Sequence, residues 1–128
     1  MSASRRTGTA FESAVVTYLA AHGFPYAERR AMRGAYDRGD VAGVPGWAVE
    51  CKAVRALDLA GWTTEAAQEA TNADSRWWAV IVKRRGQSVA QSYVVLSLAT
   101  WAEAVAGDLP DNPAAALRRV ANMIEGAP

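Results

Sequence analysis

The chain has 128 residues, of which 51% are hydrophobic and 21% are charged, so it can bury one modest core. The net charge of +1 at neutral pH excludes a uniformly basic nucleic-acid coat, and the sequence has no apolar run long enough to span a bilayer. Because the N-terminus also lacks the apolar core of a signal peptide, we expect one cytoplasmic domain over residues 1–128, with a core at about 5–98 and a helical C-terminal extension at about 99–128.

The predicted elements begin with a helix, a strand and a hairpin. Apolar residues recur at helical spacing over residues 9–22, and Gly23 is expected to end this helix. A strand at 25–31 and a loop at 33–38 follow. The turn cluster at 43–46 lies between two short apolar segments, which indicates a β-hairpin.

The rest of the chain alternates helices and strands. We predict a helix at 59–73, a strand at 77–83, a turn at 84–87, a strand at 92–98 and a last helix at 114–124. Thr100 is interpreted as the cap of a short helix that ends at residue 106. The order α-β-β-β-α-β-β-α-α favours an α/β fold, with a mixed central sheet flanked by helices.

The hairpin carries the residues that suggest chemistry. Side chains alternate along a strand, so Val49 and Cys51 should share an apolar, buried face. Glu50 and Lys52 should share the opposite face, where a carboxylate beside an ammonium is typical of a site rather than of a core. Cys51 is the single cysteine, which excludes an intramolecular disulfide and a cysteine-based zinc site.

The length of the hairpin loop decides whether two carboxylates meet. A two-residue loop would place Asp40 opposite Val49, on the apolar face. A three-residue loop at 44–46 would place Asp40 opposite Glu50, and Gly46 can adopt the left-handed conformation that this loop requires. Opposed residues have Cβ atoms roughly 4.5–5.5 Å apart, so both carboxylates could bind one cation. We therefore predict the three-residue loop or an equivalent bulge.

Three motifs follow one another in the first half of the chain. They are Gly8-Thr9-Ala10-Phe11-Glu12, Gly39-Asp40 and Val49-Glu50-Cys51-Lys52. With the order of elements and the apolar strand at 78–82, they resemble the PD-(D/E)xK nuclease superfamily, and most closely its small archaeal-type Holliday junction resolvases. The resemblance covers about residues 5–98. It departs from the family at Gly39, where Pro is frequent, and in the loop at 33–38, which lacks a serine that the resolvases often carry.

The resemblance implies a restriction-endonuclease-like fold and Mg²⁺-dependent hydrolysis of phosphodiesters, with Mn²⁺ as a substitute. Asp40, Glu50 and the backbone carbonyl of Cys51 would bind the cation. Glu12 would reach it directly or through water, although Glu12 also fits a capping box that starts at Thr9. Lys52 would orient the attacking water or stabilise the transition state. Without a metal the clustered carboxylates would repel each other, so we expect raised pKa values.

Several polar residues are candidates for contact with DNA. They are Arg29, Arg30, Arg33, Gln68, Lys83, Arg84 and Arg85. Basic clusters can neutralise phosphates, but solvated loops and strand ends explain the same clusters equally well. On the second helix, a solvated face is the simpler interpretation of Glu65, Gln68 and Glu69, and Asp37 is interpreted as a turn former outside the catalytic set.

The sequence therefore predicts a metal-dependent endonuclease that acts on branched DNA such as four-way junctions. The resolvase resemblance implies a homodimer, because two active sites allow paired nicks. A nickase or exonuclease that acts on linear, flapped or single-stranded DNA would use the same residues. The alternative from another class is a DNA-binding protein that does not cleave, although binding alone does not require Asp40, Glu50 and Lys52 together.

Overall fold

The computed structural model describes residues 3–30, 37–108, 117–118, 120–121 and 124–126. The chain divides into two compact units, Met1–Ser97 and Leu98–Pro128. The first contains α1 (Ala3–Ala21), β1 (Glu28–Arg29), β2 (Val41–Ala42), β3 (Trp47–Lys52), α2 (Leu59–Asn72), β4 (Trp77–Val82), a 3-10 helix (Val89–Gln91) and β5 (Tyr93–Val95), and the second contains α3 (Leu98–Asp108). Within the described ranges, no helix is long and apolar enough to cross a membrane.

The five strands form one mixed sheet in the order β1-β2-β3-β4-β5. β3 and β4 run parallel, and the other neighbours run antiparallel. Parallel neighbours require a crossover connection, which α2 provides here. The α/β class and the mixed sheet that the sequence predicts are therefore confirmed.

The two faces of the sheet pack against different helices. On one face, Val41 and Val49 form a buried apolar cluster with Phe11 and Val15 of α1, and Cys51 packs against this cluster. Cys51 is half-buried rather than fully buried. These apolar positions follow the alternation expected for strands and the helical spacing expected for α1.

The opposite face of the sheet packs against α2. Val80 and Val82 of β4 form a second buried cluster with Trp62 and Ala66 of α2. The helix begins after Asp58, whose side chain accepts a hydrogen bond from the Gly61 N–H and so caps the first turn. Because α2 crosses directly over the parallel pair, its inward side chains lie over β3 as well as β4.

The hairpin has the predicted three-residue loop. Val41 pairs with Val49, the register that places the residues next to them, Asp40 and Glu50, across from each other. Gly46 adopts the expected left-handed conformation, with φ of 85°. Gly39 also has positive φ, at 96°, and a Cβ at this position would lie 2.9 Å from the Val49 carbonyl oxygen. Proline, frequent here in the resembled family, would be excluded by that backbone conformation.

Several element boundaries differ from the prediction. α1 begins at Ala3 because the residues before Thr9 lack a helix breaker other than one tolerated glycine, so the predicted start and the capping box are wrong. The strand predicted at 25–31 is limited to Glu28–Arg29 among the described residues. Thr100 lies inside α3 and is not its cap. Residues 33–36 and most of the helix predicted at 114–124 lie outside the described residues.

Candidate metal centre

β3 carries Glu50 and Lys52 on the face that α2 covers. Their neighbours in the parallel register are Val80 and Val82, which belong to the apolar cluster under α2. Glu50 is only 4% exposed, although it carries a carboxyl group. Strand alternation therefore places a carboxylate in the core, where it needs a compensating partner.

Asp40 is fixed beside Glu50 by backbone contacts. Its N–H donates to the Val49 carbonyl at 2.8 Å, and its Oδ2 accepts a hydrogen bond from the Cys51 N–H at 2.8 Å. The carboxyl groups of Asp40 and Glu50 lie within hydrogen-bonding reach of each other. The structure thus brings together the two carboxylates that the loop length predicts to meet. The role of the Cys51 carbonyl as a ligand stays a prediction.

Glu50 lies among acids that disfavour its ionised form. Burial raises its pKa most, and hydrogen bonding with Glu69 and Asp40 and their negative charges raise it further. Its Oε2 atom is buried without a hydrogen-bond donor in the portion of the chain that is described. Clustered carboxylates with raised pKa values were expected, and Glu50 confirms that expectation. A proton or a cation must therefore occupy this cluster for Glu50 to be accommodated.

Lys52 lies between two carboxylates. Its Nζ is 3.6 Å from Glu50 Oε1 and 3.4 Å from both carboxylate oxygens of Glu65, and it lies 6.0 Å from the centre of the Trp62 ring. Burial lowers the pKa of Lys52, but the charges of Glu50 and Glu65 outweigh this effect, so the net pKa is raised. Lys52 therefore stays protonated at neutral pH and donates rather than accepts protons.

Glu12 lies on α1, near Asp40 but apart from the acids under α2. Its Oε1 is 3.6 Å from Arg29 Nε. Burial and the charge of Asp40 raise the pKa of Glu12, and the guanidinium of Arg29 opposes that shift. Since Glu12 lies well inside α1 rather than in its first turn, the capping explanation no longer applies. Asp40 thus has an acidic neighbour on each side, Glu12 and Glu50.

Glu69 is the residue that the sequence interpretation missed. It is only 2% exposed, and both of its carboxylate oxygens are buried without a hydrogen-bond donor from any described residue. The solvated-face interpretation is wrong for Glu69, whereas Glu65 and Gln68 are exposed as expected. The missed signal is helical spacing, because Glu69 lies two turns after the buried Trp62, on the same face.

The burial of Glu69 changes its acidity. Burial is the main cause that raises its pKa, to about 7, although the neighbouring Glu50 acts in the opposite direction. The buried carboxyl groups of Glu50 and Glu69 therefore lie close together, and both hold a proton more tightly than an exposed acid does.

Four acids converge on this side of the sheet. One carboxylate oxygen each from Asp37, Glu50, Glu65 and Glu69 lie within 4.8 Å of one another. Asp37 is also the turn former that the sequence predicts, because its Oδ1 accepts from the Gly39 N–H at 2.9 Å. Hard divalent cations prefer carboxylate oxygens, so a cluster in which Glu50 and Glu69 are buried with oxygens that lack a donor among the described residues fits such an ion.

Two of the candidate DNA contacts lie beside Asp40. Arg29 is exposed and pairs with Glu12, and the Arg30 N–H donates to the Asp40 carbonyl at 2.8 Å. The Arg30 side chain is half-buried, and its Nε lacks a hydrogen-bond acceptor among the residues described. Arg33 lies outside the described residues.

The remaining candidates lie beyond β4 and on α2. Lys83, Arg84 and Arg85 are exposed, and the Lys83 N–H donates to the Lys52 carbonyl at 2.9 Å. The guanidinium of Arg84 lies 5.7 Å from the centre of the Tyr93 ring. Gln68 is exposed and donates to Asn72 Oδ1 at 3.0 Å. Basic segments thus adjoin the site through Asp40 on one side and through Lys52 on the other.

Comparison with known proteins identifies no family for this chain. No protein-family model matches the chain, and no curated protein or solved structure is significantly similar to it. What this chain can do must therefore be inferred from the acids, Lys52 and the adjoining basic segments.

Proposed function

We propose that this protein is a metal-dependent endodeoxyribonuclease with a restriction-endonuclease-like fold. The observation that carries the proposal is the pair formed by the half-buried Asp40 and the buried Glu50, beside a protonated Lys52. A carboxylate pair for a cation and an ammonium for an anion are what phosphodiester hydrolysis requires.

The energetics of burial support a site for a cation. Burying an ionised carboxylate costs several kcal/mol, and packing against hydrocarbon does not recover that cost. An apolar residue in place of Glu50 would fill the same space without this penalty. A catalytic or binding role explains why an acid occupies the position.

The residues fit a Mg²⁺ or Mn²⁺ ion. Asp40 and Glu50 would hold it, with Glu12 near enough to contribute through water. When bound, such an ion would lower the pKa of a water nucleophile and neutralise negative charge on the phosphate. Its positive charge would also replace the proton that Glu50 otherwise keeps.

Lys52 would act on the phosphate rather than as a base. Because its pKa is raised, its ammonium keeps its charge and can donate a hydrogen bond to a phosphate oxygen. Glu50 and Glu65 hold the ammonium between them, so it needs little reorganisation when the substrate arrives. Of the two roles that the resemblance implies for Lys52, the electrostatic one is the better supported.

The adjoining basic segments support a nucleic-acid substrate. Arg30 is bonded to Asp40 through the backbone, and the segment 83–85 begins next to Lys52, so the chain on either side of the acids carries basic residues. Phosphates before and after the scissile one could be neutralised by these two groups. A small phosphoester would have no need for both.

The proposal that the substrate is branched DNA rests on the resemblance to Holliday junction resolvases. Resolution of a four-way junction requires two symmetric nicks, so we propose that the protein acts as a homodimer. Light scattering of the purified protein tests this part separately. A strictly monomeric protein with junction bound would contradict it.

The test is cleavage of a labelled four-way junction, a linear duplex and a flap by purified protein in Mg²⁺, Mn²⁺ or EDTA. We expect symmetric nicks in the junction that require the metal. Asp40→Asn removes one carboxylate charge with little change in volume and should abolish the nicks. Glu28→Gln, which removes an exposed carboxylate on β1, is the matched control and should cleave like the wild type.

Other outcomes separate the alternatives. Cleavage of linear or flapped DNA but not of the junction would keep the roles of Asp40, Glu50 and Lys52 and replace the substrate. Tight junction binding without cleavage in any metal would contradict the enzyme and favour a DNA-binding protein.

A further inference from the structure

The carboxyl group of Glu69 has no role in the site proposed above. It projects from α2 into the core, is 2% exposed, and has no donor on either oxygen within the described ranges. Helices tolerate a buried acid only when something compensates its charge. The ammonium of Lys52 is engaged by Glu50 and Glu65 instead.

The acids around Glu69 have the spacing of a coordination shell. Bonds from hard divalent cations to oxygen are roughly 2.0–2.6 Å long, so oxygens on opposite sides of one ion lie about 4–5 Å apart. The oxygens of Asp37, Glu50, Glu65 and Glu69 fall within 4.8 Å of one another, which matches that requirement. Asp40 lies outside this group and contacts Glu50 from the hairpin side.

We infer that Glu69, Glu50, Asp37 and Glu65 form a second binding site for a divalent cation, distinct from the site of Asp40 and sharing only Glu50 with it. Glu50 and Glu69 anchor the ion from the buried side. Asp37 is half-buried and Glu65 is exposed, so water can complete the coordination from the solvent side. The inference goes beyond the proposed nuclease activity, because binding of this cation does not depend on DNA cleavage.

The backbone supports this arrangement. The Asn72 side chain, one turn after Glu69 on α2, donates to the Asp37 carbonyl at 2.8 Å. This bond ties the segment that carries Asp37 to the helix that carries Glu69. Two ligands that are distant in sequence are thus fixed relative to each other before any ion binds.

The test is a Mn²⁺ titration of the full chain, followed by the electron paramagnetic resonance signal of unbound Mn²⁺, without DNA. The wild type should bind two Mn²⁺ ions per chain. Glu69→Gln and Asp40→Asn should each lose one ion, and the double variant should lose both. Glu28→Gln should bind as the wild type does. The thermal melt of each variant shows whether it is folded.

Each outcome bears on one of the two sites. Unchanged Mn²⁺ binding by Glu69→Gln would overturn the second site. Loss of one ion in Glu69→Gln with no change in Asp40→Asn would support the second site and contradict the proposed function. A wild type that binds one ion, lost in both variants, would also overturn a second site, since a single shared ion would then suffice.

Glu65→Gln keeps the inference testable if Glu69→Gln does not fold. The Glu65 side chain is 45% exposed, so its replacement leaves the core unchanged. We expect it to weaken the second ion by about tenfold or more, as the loss of a supporting ligand does in other metal sites. Unchanged affinity for both ions in Glu65→Gln would count against the site.

Discussion

Val49 and Glu50 are neighbours in β3 and are equally buried, each 4% exposed, yet they face opposite sides of the sheet. Val49 packs into the apolar cluster under α1. Glu50 enters the face under α2, where Asp40, Glu69 and Lys52 surround it. Burial of a valine contributes about 1.5–3 kcal/mol of stability, whereas an ionised carboxylate costs several kcal/mol to bury.

The two faces of the sheet therefore differ in what explains their buried residues. The face under α1 is explained by packing alone, because its buried residues are hydrocarbon. The face under α2 contains a comparable cluster around Trp62, but it also holds two acids that packing does not explain. Substitutions on the two faces should therefore have opposite effects on stability and activity.

The largest effect is expected on activity, from Glu50→Gln. The amide keeps the shape of the side chain but is a poor ligand and needs no proton. Cleavage should fall by at least about a hundredfold, the range for loss of one electrostatic contact in a transition state. The metal-free melting temperature should rise, because the repulsion from Asp40 and Glu69 is relieved. A metal-free melt below that of the wild type would contradict the comparison.

The matched substitution on the other face is Val49→Ala. It should destabilise the fold by about 2 kcal/mol, since it removes buried methyl groups and leaves a small cavity. Cleavage by the folded fraction should stay near the wild-type rate. Denaturant titration and single-turnover kinetics provide the two readouts. A large loss of cleavage in folded Val49→Ala would mean that the two faces are not separable.

The pH dependence of metal-free stability sharpens the comparison further. Glu69 and Glu50 have raised pKa values in the folded protein, so the folded state binds their protons more tightly than the unfolded state does. The stability from Glu69 is therefore complete below its ordinary pKa of 4.5 and is lost as pH rises through about 7. Denaturant titrations between pH 4.5 and 7.5 should show this decline.

Cation binding should change that pH profile. Saturating Mn²⁺ should flatten the decline, because the ion neutralises the clustered acids in place of bound protons. The stability of Glu69→Gln should decline less over this pH range, even without metal. A metal-free stability that increases over the same pH range would contradict the raised pKa of Glu69.

The smallest effect is expected from Arg85→Ala, which removes an exposed charge beyond β4. Binding to junction DNA should weaken only a few-fold, and the salt dependence of the affinity should decrease by about one released counterion. Fluorescence anisotropy at several salt concentrations measures both. An unchanged salt dependence of the affinity would indicate that residues 83–85 do not contact DNA.

Much of the fold and half of the site follow from local sequence patterns. Alternation in β3 predicts which residues face each helix, and the residues at 44–46 predict the hairpin register that joins Asp40 to Glu50. The extent of α1 was not predictable from Thr9, because a plausible cap also fits inside a longer helix. The burial of Glu69 depends on where α2 lies over the sheet, which is a property of tertiary packing.

The crossover through α2 also has a consequence for how the protein folds. Asp40 and Glu50 belong to one hairpin and can meet through local contacts, whereas Glu69 joins them only after the parallel β3–β4 pairing closes. We therefore expect the site to assemble in two kinetic stages, with the acidic helix α2 arriving last. A cation already held by the hairpin would attract that helix, so refolding should be faster in Mn²⁺ than in a chelator, and Glu69→Gln should be less sensitive to the ion.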